Sequence, residues 1–338
     1  MSDLINEIAV SSRVRLARNY FDIPFSNTNR SENEQACVQR AQSAFMNQSE
    51  GCRYRLKLLS AMSKNERTAL MEQHMISRDL LLNAPGGAAL IRDDHAASVM
   101  INEEDHLRIQ GMVKGLSLDK AAHLAFEAEE ALQSVCAFSF DTQLGYLTAC
   151  PTNTGTGMRA SLMLHLPLLT RCKQMGSVTQ SVAKLGLTIR GLYGEGSEAL
   201  GDLFQVSNQV TLGRTEAEII EAVAAVGNQL IDMETTLRSR ALGEASYDVK
   251  DRIFRSYGIL RYAMQMDASE WMQHWSNLRL GVSLRLLSLP LSTLDELLST
   301  AQDAHAKLYR AQTNPLLTTD QARAAIIRDA LNPTIQEV

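Results

Sequence analysis

Five arginines stand in four short polar segments, and two of those segments also carry a glutamate. The segments are Ser11-Ser12-Arg13-Val14-Arg15, Asn102-Glu103-Glu104-Asp105-His106-Leu107-Arg108, the run 150–161 that contains Arg159, and Arg190-Gly191-Leu192-Tyr193-Gly194-Glu195. Arginine offers phosphate a planar fork of donors and stays charged at any working pH. Several converging on one pocket would suit a triphosphate. A carboxylate beside them is repelled by phosphate, so it suits a cationic partner instead. The pattern reads as a cage for ATP facing a pair of acids that hold a guanidinium.

Such groups need a rigid frame. Arg13 and Arg15 alternate with Val14, so on a strand both guanidinium groups point to one face. Residues 53–59 and 97–102 alternate as half-buried strands, the second placing Glu104 just past a strand end. Residues 187–190 form another short strand candidate ending at Gly191. Arg159 follows a glycine- and threonine-rich stretch and is expected to open an apolar helix over 160–169, kinked or ended by Pro167. Backbone donors, helix dipole and a side-chain cation can all address a phosphate at such a place. Helical spacing is clear over 118–135, where Leu118, Ala121, Ala125, Ala128 and Leu132 share a face, and over 216–242. Beyond that nearly everything reads as helix, including 293–312 and 319–331. A boundary is expected near Leu242-Gly243-Glu244, with a mixed α/β part over 1–242 and an all-helical part over 243–338.

The chain's 338 residues suffice for two domains, and 45% apolar with 21% charged residues is ordinary globular composition. A net charge of −5, from 33 basic against 38 acidic residues, argues against nucleic-acid binding by bulk electrostatics. No apolar run approaches the length of a membrane span, and the first seven residues show no signal-peptide pattern. Five cysteines without a CxxC pair give neither a disulfide framework nor a zinc site, which fits a reduced, cytoplasmic protein.

Each segment also has an ordinary reading. The acidic run at 103–105 could be a solvated turn, or a metal site of untypical spacing. A surface strand with two arginines is common. Residues 150–161 lack the lysine step of a P-loop, and Gly155-Thr156-Gly157 lacks the third glycine of a dinucleotide fingerprint. Cys150 could be a nucleophile with His106 or His165 as base, or a structural thiol. Trp271 and Trp275, one helical turn apart, fit core packing.

Taken together, the arginine and glutamate segments resemble the catalytic domain of the phosphagen (guanidino) kinases, with the motifs in family order from about Ser11 to Thr215. Kinases of free creatine or arginine carry an N-terminal helical domain before the first arginine motif, and ten residues precede Ser11 here. The chain is more similar to the bacterial protein-arginine kinases of the McsB type. Leu144-Gly145-Tyr146-Leu147-Thr148, Gly196-Ser197-Glu198-Ala199-Leu200-Gly201, Arg255-Ser256-Tyr257-Gly258-Ile259-Leu260 and Arg279-Leu280-Gly281 carry that similarity.

The resemblance implies an α+β catalytic domain, a mostly antiparallel sheet flanked by helices, followed by an all-helical C-terminal domain. It implies transfer of the ATP γ-phosphoryl group to protein arginine, with Glu104 and Glu195 gripping the guanidinium. Ser11, Ser12, Arg13, Val14, Arg15, His74, Arg108, Arg159, Ala160, Ser161, Leu162, Met163, Arg190, Gly191, Leu192, Tyr193 and Gly194 would address the nucleotide. Cys150 would lie near the substrate. Magnesium would arrive with ATP, without a carboxylate cage of its own. Relatives carry an Arg-Asp-x-x-Arg-Ala phosphoarginine pocket near the C-terminus. Asp320 and Arg323 match it, whereas Thr319 replaces an arginine, so a plain amphipathic helix stays an equal alternative. Arginine-containing protein substrates, a zinc-containing activator protein, a Clp protease and a second copy in a homodimer are the implied partners, in bacterial stress response and protein quality control. Two other readings stand beside this one: a kinase of free arginine or another small guanidine, and an inactive adaptor that binds phosphoarginine or nucleotide.

Overall fold

The computed structural model describes residues 7–25, 30–46, 53–191, 200–241 and 247–331. The expected boundary at 242–244 lies outside them. The strands are β1 (Ala9–Arg18), β2 (Tyr54–Leu58), β3 (Ala88–Arg92), β4 (Ala97–Ile101) and β5 (Leu107–Lys114). A small hairpin, β6 (Phe140–Asp141) and β7 (Gly145–Tyr146), precedes β8 (Met158–His165), β9 (Leu187–Gly191) and β10 (Leu203–Asn208). Eight of these form one antiparallel sheet in the order β2-β3-β4-β5-β1-β8-β10-β9.

The helices before the last strand are α1 (Arg30–Ser43), α2 (Lys64–Glu72), α3 (Arg78–Leu82), α4 (Leu118–Gln133), α5 (Pro167–Arg171) and α6 (Met175–Ala183). After it come α7 (Glu216–Ala241), α8 (Tyr247–Tyr262), α9 (Ala268–Ser283), α10 (Leu291–Thr300), α11 (Asp303–Thr313) and α12 (Thr319–Leu331).

Period-two alternation gives the sheet one apolar face and, over its central strands, one polar face. Val14 and Leu16 of β1, Ile109 of β5, Ala160, Leu162 and Leu164 of β8, and Val206 of β10 are fully buried on the apolar face. Helices α4 and α7 cover it, through Ala121, Ala125, Ile219, Val223 and Leu230 among others. Two glycines set how closely they lie. A Cβ at Gly111 of β5 would stand 2.1 Å from the Ala121 carbonyl oxygen, and one at Gly227 of α7 would stand 2.3 Å from Leu162 Cδ1.

Two expectations are corrected. The apolar run at 160–169 is not a helix opened by Arg159. It is strand β8, followed at Leu166 by the short helix α5 with Pro167 in its first turn. Arg159, Ser161 and Met163 alternate with buried apolar residues, and that period of two decides against the helix. The single helix expected over 293–312 is two, α10 and α11, broken at Ala301 and Gln302, where Gln302 is extended (φ −79°, ψ 168°).

Trp271 and Trp275 are fully buried in α9, in a core shared with Leu278, Leu294, Leu297 and Ile327, and with Leu203 of β10. Polar bonds tie this helical region to the sheet. His165 Nε2 lies 2.9 Å from Ser276 Oγ, and Ser276 donates to Asp202 at 2.6 Å. Arg238 of α7 donates to the His165 carbonyl at 3.2 Å, to Ser283 Oγ at 2.8 Å and to Glu234 at 3.1 Å. Glu234 in turn accepts from the Leu168 and Leu169 N–H groups.

At the far end of β1, Arg18 is buried, donates to Glu129 of α4 at 2.5 Å and stacks 3.4 Å from the centre of the Tyr146 ring. Removing one partner of a buried pair leaves a charge that cannot reach water. Glu129→Ala is therefore expected to lower unfolding stability by about 3–5 kcal/mol in denaturant titration. Asp251→Ala, which breaks the exposed Arg255–Asp251 pair at 2.7 Å, should change it by less than about 1 kcal/mol.

Candidate active site

The polar face of the sheet collects the sequence's five arginines. Arg15 stands directly opposite Arg159 on one side and Gln110 on the other, and Ala17 stands opposite Arg108. Arg190 of β9 faces Gln205 of β10, which faces Met163 of β8. Directly paired residues share a face, so Arg13, Arg15, Arg108, Arg159 and Arg190 all project to one side. They line a cleft of about 330 Å³ together with Ala17, Asp79, Asn153, Gly157, Gly191 and Gln205.

Neighbouring side chains orient these cations. Arg13 donates to Gln205 Oε1 at 3.0 Å, Arg159 to Ser207 Oγ at 3.1 and 3.3 Å, and Arg108 to Glu103 Oε1 at 2.7 Å. Burying these groups beside one another weakens their hold on a proton. Burial, then Arg159 and Arg108, hold the Arg13 guanidinium down to about 10. Burial, then Arg13, Arg108 and Arg159, hold Arg15 well below the ordinary arginine range. His74 is pushed down to about 4 by burial and by Arg13 and Arg15, so it is neutral at working pH.

The acidic segment forms the β4–β5 turn. Asn102 takes a left-handed conformation (φ 61°) and donates to the Glu34 and Gly86 carbonyls. Asp105 accepts from Asn19 Nδ2 and from the Ala149 N–H, both at 2.7 Å, fixing the turn to the segment that leads to Cys150. Thr211 Oγ1 secures that segment further by donating to the Thr152 and Thr154 carbonyls. Glu103 is buried between Arg108 and Ser77, and burial raises its pKa. Glu104 is 43% exposed at the tip, 3.8 Å from Arg108 Nη2. An exposed carboxylate at the mouth of a cationic cleft can take up a second guanidinium from solution.

The remaining expected site residues separate into groups. Ser11, Ser161 and Met163 share the cleft face with the arginines. The side chains of Ser12, Val14, Ala160 and Leu162 lie on the opposite face and do not reach the cleft. Leu192, Tyr193, Gly194 and Glu195 lie outside the described residues. Cys150 stands before the turn 151–153 with its sulfur 2.9 Å from Thr152 Oγ1. Neither proposed histidine base serves it. His106 Nδ1 accepts from the Tyr20 N–H and its Nε2 faces the Pro24 carbonyl, while His165 is fully buried against Ser276. Asp320 and Arg323 meet at 2.7 Å, but Arg323 is fully buried and also donates to the Ala301 and Met266 carbonyls and to Asp303.

Sequence reasoning gave Glu103 no part in orienting Arg108 and passed over Asp79, Gln205 and Ser207. The alternation of Leu203-Phe204-Gln205-Val206-Ser207 was a usable sign for the last two.

Comparison with known proteins agrees with this geometry. The model for the ATP:guanido phosphotransferase C-terminal catalytic domain matches residues 35–237, and that for the protein-arginine kinase McsB C-terminal domain matches residues 246–337. The protein-arginine kinase of Caldanaerobacter subterraneus subsp. tengcongensis is 41% identical over 96% of this chain and 97% of its own. That of Desulforamulus reducens is 42% identical over 98% of this chain and 94% of its own. Among solved structures, lombricine kinase superposes with a TM-score of 0.61 at 25% identity, covering 69% of this chain and 68% of the other. The duplicated taurocyamine kinase of Schistosoma mansoni gives 0.60 at 27% identity, over 75% and 38%. The chain belongs to the ATP:guanido phosphotransferase family, and within it to the protein-arginine kinases.

Proposed function

We propose that this chain transfers the γ-phosphoryl group of ATP to a guanidino nitrogen of arginine side chains in proteins. The observation that carries the reading is the convergence of Arg13, Arg15, Arg108, Arg159 and Arg190 on one cleft, with Glu104 3.8 Å from Arg108. Phosphoryl transfer is mostly positioning and charge stabilisation around three equatorial oxygens, which such a face can supply. His74, uncharged, would contact the nucleotide without adding to the repulsion.

The acceptor is the harder partner. A guanidinium is protonated up to a pKa above roughly 12 and is a poor nucleophile until its proton can leave. Glu104 and Glu195, the latter carried over from the family motif, would fix the guanidinium plane. One nitrogen then forms the P–N bond while the β–γ P–O bond breaks. The proton passes to a carboxylate and ADP departs. Cys150, on the segment tied to the Glu104 turn through Asp105, would lie beside the substrate. Among the described residues no three His, Cys, Asp or Glu side chains gather as a metal cage. Mg²⁺ would arrive with ATP, carried by the nucleotide phosphates and neutralising charge there.

The names of the relatives support protein rather than free arginine as acceptor. The same kinship supports a zinc-containing activator, a Clp protease that receives phosphoarginine-marked proteins, a homodimer and a cytoplasmic place in stress response. No described helix is long and apolar enough to cross a membrane.

Incubation with Mg-ATP and casein, read by mass spectrometry under non-acidic conditions, should locate phosphate on arginine. Phosphate on free arginine alone would overturn the protein-kinase reading. Glu104→Gln is expected to reduce kcat by about 10²–10⁴-fold, with ATP affinity kept within about threefold.

The crowded cations yield a stability prediction. Because the folded Arg13 value of about 10 lies below the ordinary arginine range, the folded chain binds this proton less tightly than the unfolded chain does. The penalty is fully present below about pH 10 and fades as pH rises above it toward the ordinary arginine range. At neutral pH, Arg15→Met should raise the melting temperature of the ligand-free protein and abolish the further rise produced by Mg-ATP. A lower melting temperature with the ATP response intact would contradict this.

A further inference from the structure

The helical C-terminal region packs against α2 just ahead of His74. The first turn of α11 sits on the last residue of α2. Glu72 accepts from the Ala304 N–H at 2.8 Å, from the His305 N–H at 3.2 Å and from His305 Nδ1 at 2.7 Å. Both side chains are largely buried, 10% exposed for Glu72 and 14% for His305. With the imidazole proton on Nδ1 toward the carboxylate, Nε2 accepts from Gln73 Nε2 at 3.1 Å. The same turn of α11 is anchored in the helical region through Asp303 and the buried Arg323.

The next residue along the chain is His74. Its φ of 61° is left-handed, a conformation that a side chain of this size keeps only where its surroundings hold it. On the sheet side, Gln110 Nε2 donates to the His74 carbonyl at 2.8 Å and Ser98 Oγ to the Met75 carbonyl at 3.0 Å. Gln110 stands directly opposite Arg15. On the other side, the restraint is the Glu72–Gln73 grip on His305. One short turn is thus clamped between the arginine face and the first turn of α11.

We propose that the Glu72–His305 contact is a dock through which α11 sets the position of the His74 turn, making His305 a positioning residue for nucleotide binding. The proposal rests on reading His74 as a nucleotide contact. It gives the helical region a direct hold on the cleft, since any shift of the α11 terminus changes the restraint on residues 72–75. The hold acts on binding and leaves Glu104 and the five arginines in place, so affinity and turnover should respond separately.

The test is calorimetric titration of the full chain with Mg-ADP alongside steady-state kinetics. His305→Ala should weaken ADP binding about tenfold, with kcat at saturating ATP kept within about twofold. His305→Asn keeps an N–H donor for Glu72 and should bind ADP within about twofold of the parent. Parental affinity in His305→Ala overturns the dock. So does an equal loss in both variants accompanied by a lowered melting temperature, which is what a purely structural contact would give. His74→Ala, measured in parallel, separates the two ideas. Parental ADP affinity in that variant sinks the His74 assignment, whereas weakened binding there with parental binding in His305→Ala sinks the dock alone.

Discussion

Repulsion among five like charges held on one face of a sheet is the constraint around which the cleft is built. Arg13 and Arg15 are neighbours along β1, with Arg159 opposite on β8 and Arg108 close by on β5. Left to relax, guanidinium groups at this spacing would turn outward to water. Strand register denies them that freedom, because each residue's face is fixed by an apolar neighbour buried beneath α4 or α7. Moving β1 by one residue would put Val14 and Leu16 in the cleft and the arginines in the core. The burial of one face therefore enforces the charge density of the other, and burial followed by the neighbouring arginines lowers the proton affinities of Arg13 and Arg15.

Two kinds of partner share that field. Gln205 accepts from Arg13 and Ser207 from Arg159, contacts that orient these guanidinium groups without adding negative charge. Glu103 does neutralise Arg108, at the edge where the acidic turn begins. The turn thus marks a passage from a region suited to phosphate to one suited to a cation, and Asp105 holds it rigidly against the segment bearing Cys150. The helical region is joined to this frame by buried polar bonds at His165, Asp202 and Arg238, and near the cleft by Glu72 and His305.

The sheet-face logic of Arg13 and Arg15 was legible from three residues, and the place of Glu104 beyond β4 from six. Helices α4 and α7 announced themselves by spacing. Strand β8 did not, because Met163 on the cleft face is as apolar as Ala160, Leu162 and Leu164 on the core face, which leaves the period of two faint in the sequence. The break between α10 and α11 was hidden for another reason. It is imposed by tertiary contacts, Glu72 capping α11 and Asp303 pairing with Arg323. Gln205 and Ser207 were missed because an amide and a hydroxyl carry no charge pattern; their importance comes from what the sheet places opposite them.

If the arginine face is a polyphosphate site, affinity must depend on the number of phosphates far more than on the base. The direct measurement is calorimetric titration of the full chain with AMP, ADP and ATP in the presence of Mg²⁺. Binding should tighten by about tenfold with each added phosphate and weaken as salt is raised. Equal affinity for AMP and ATP, indifferent to salt, would mean that the five arginines do not hold the phosphate chain.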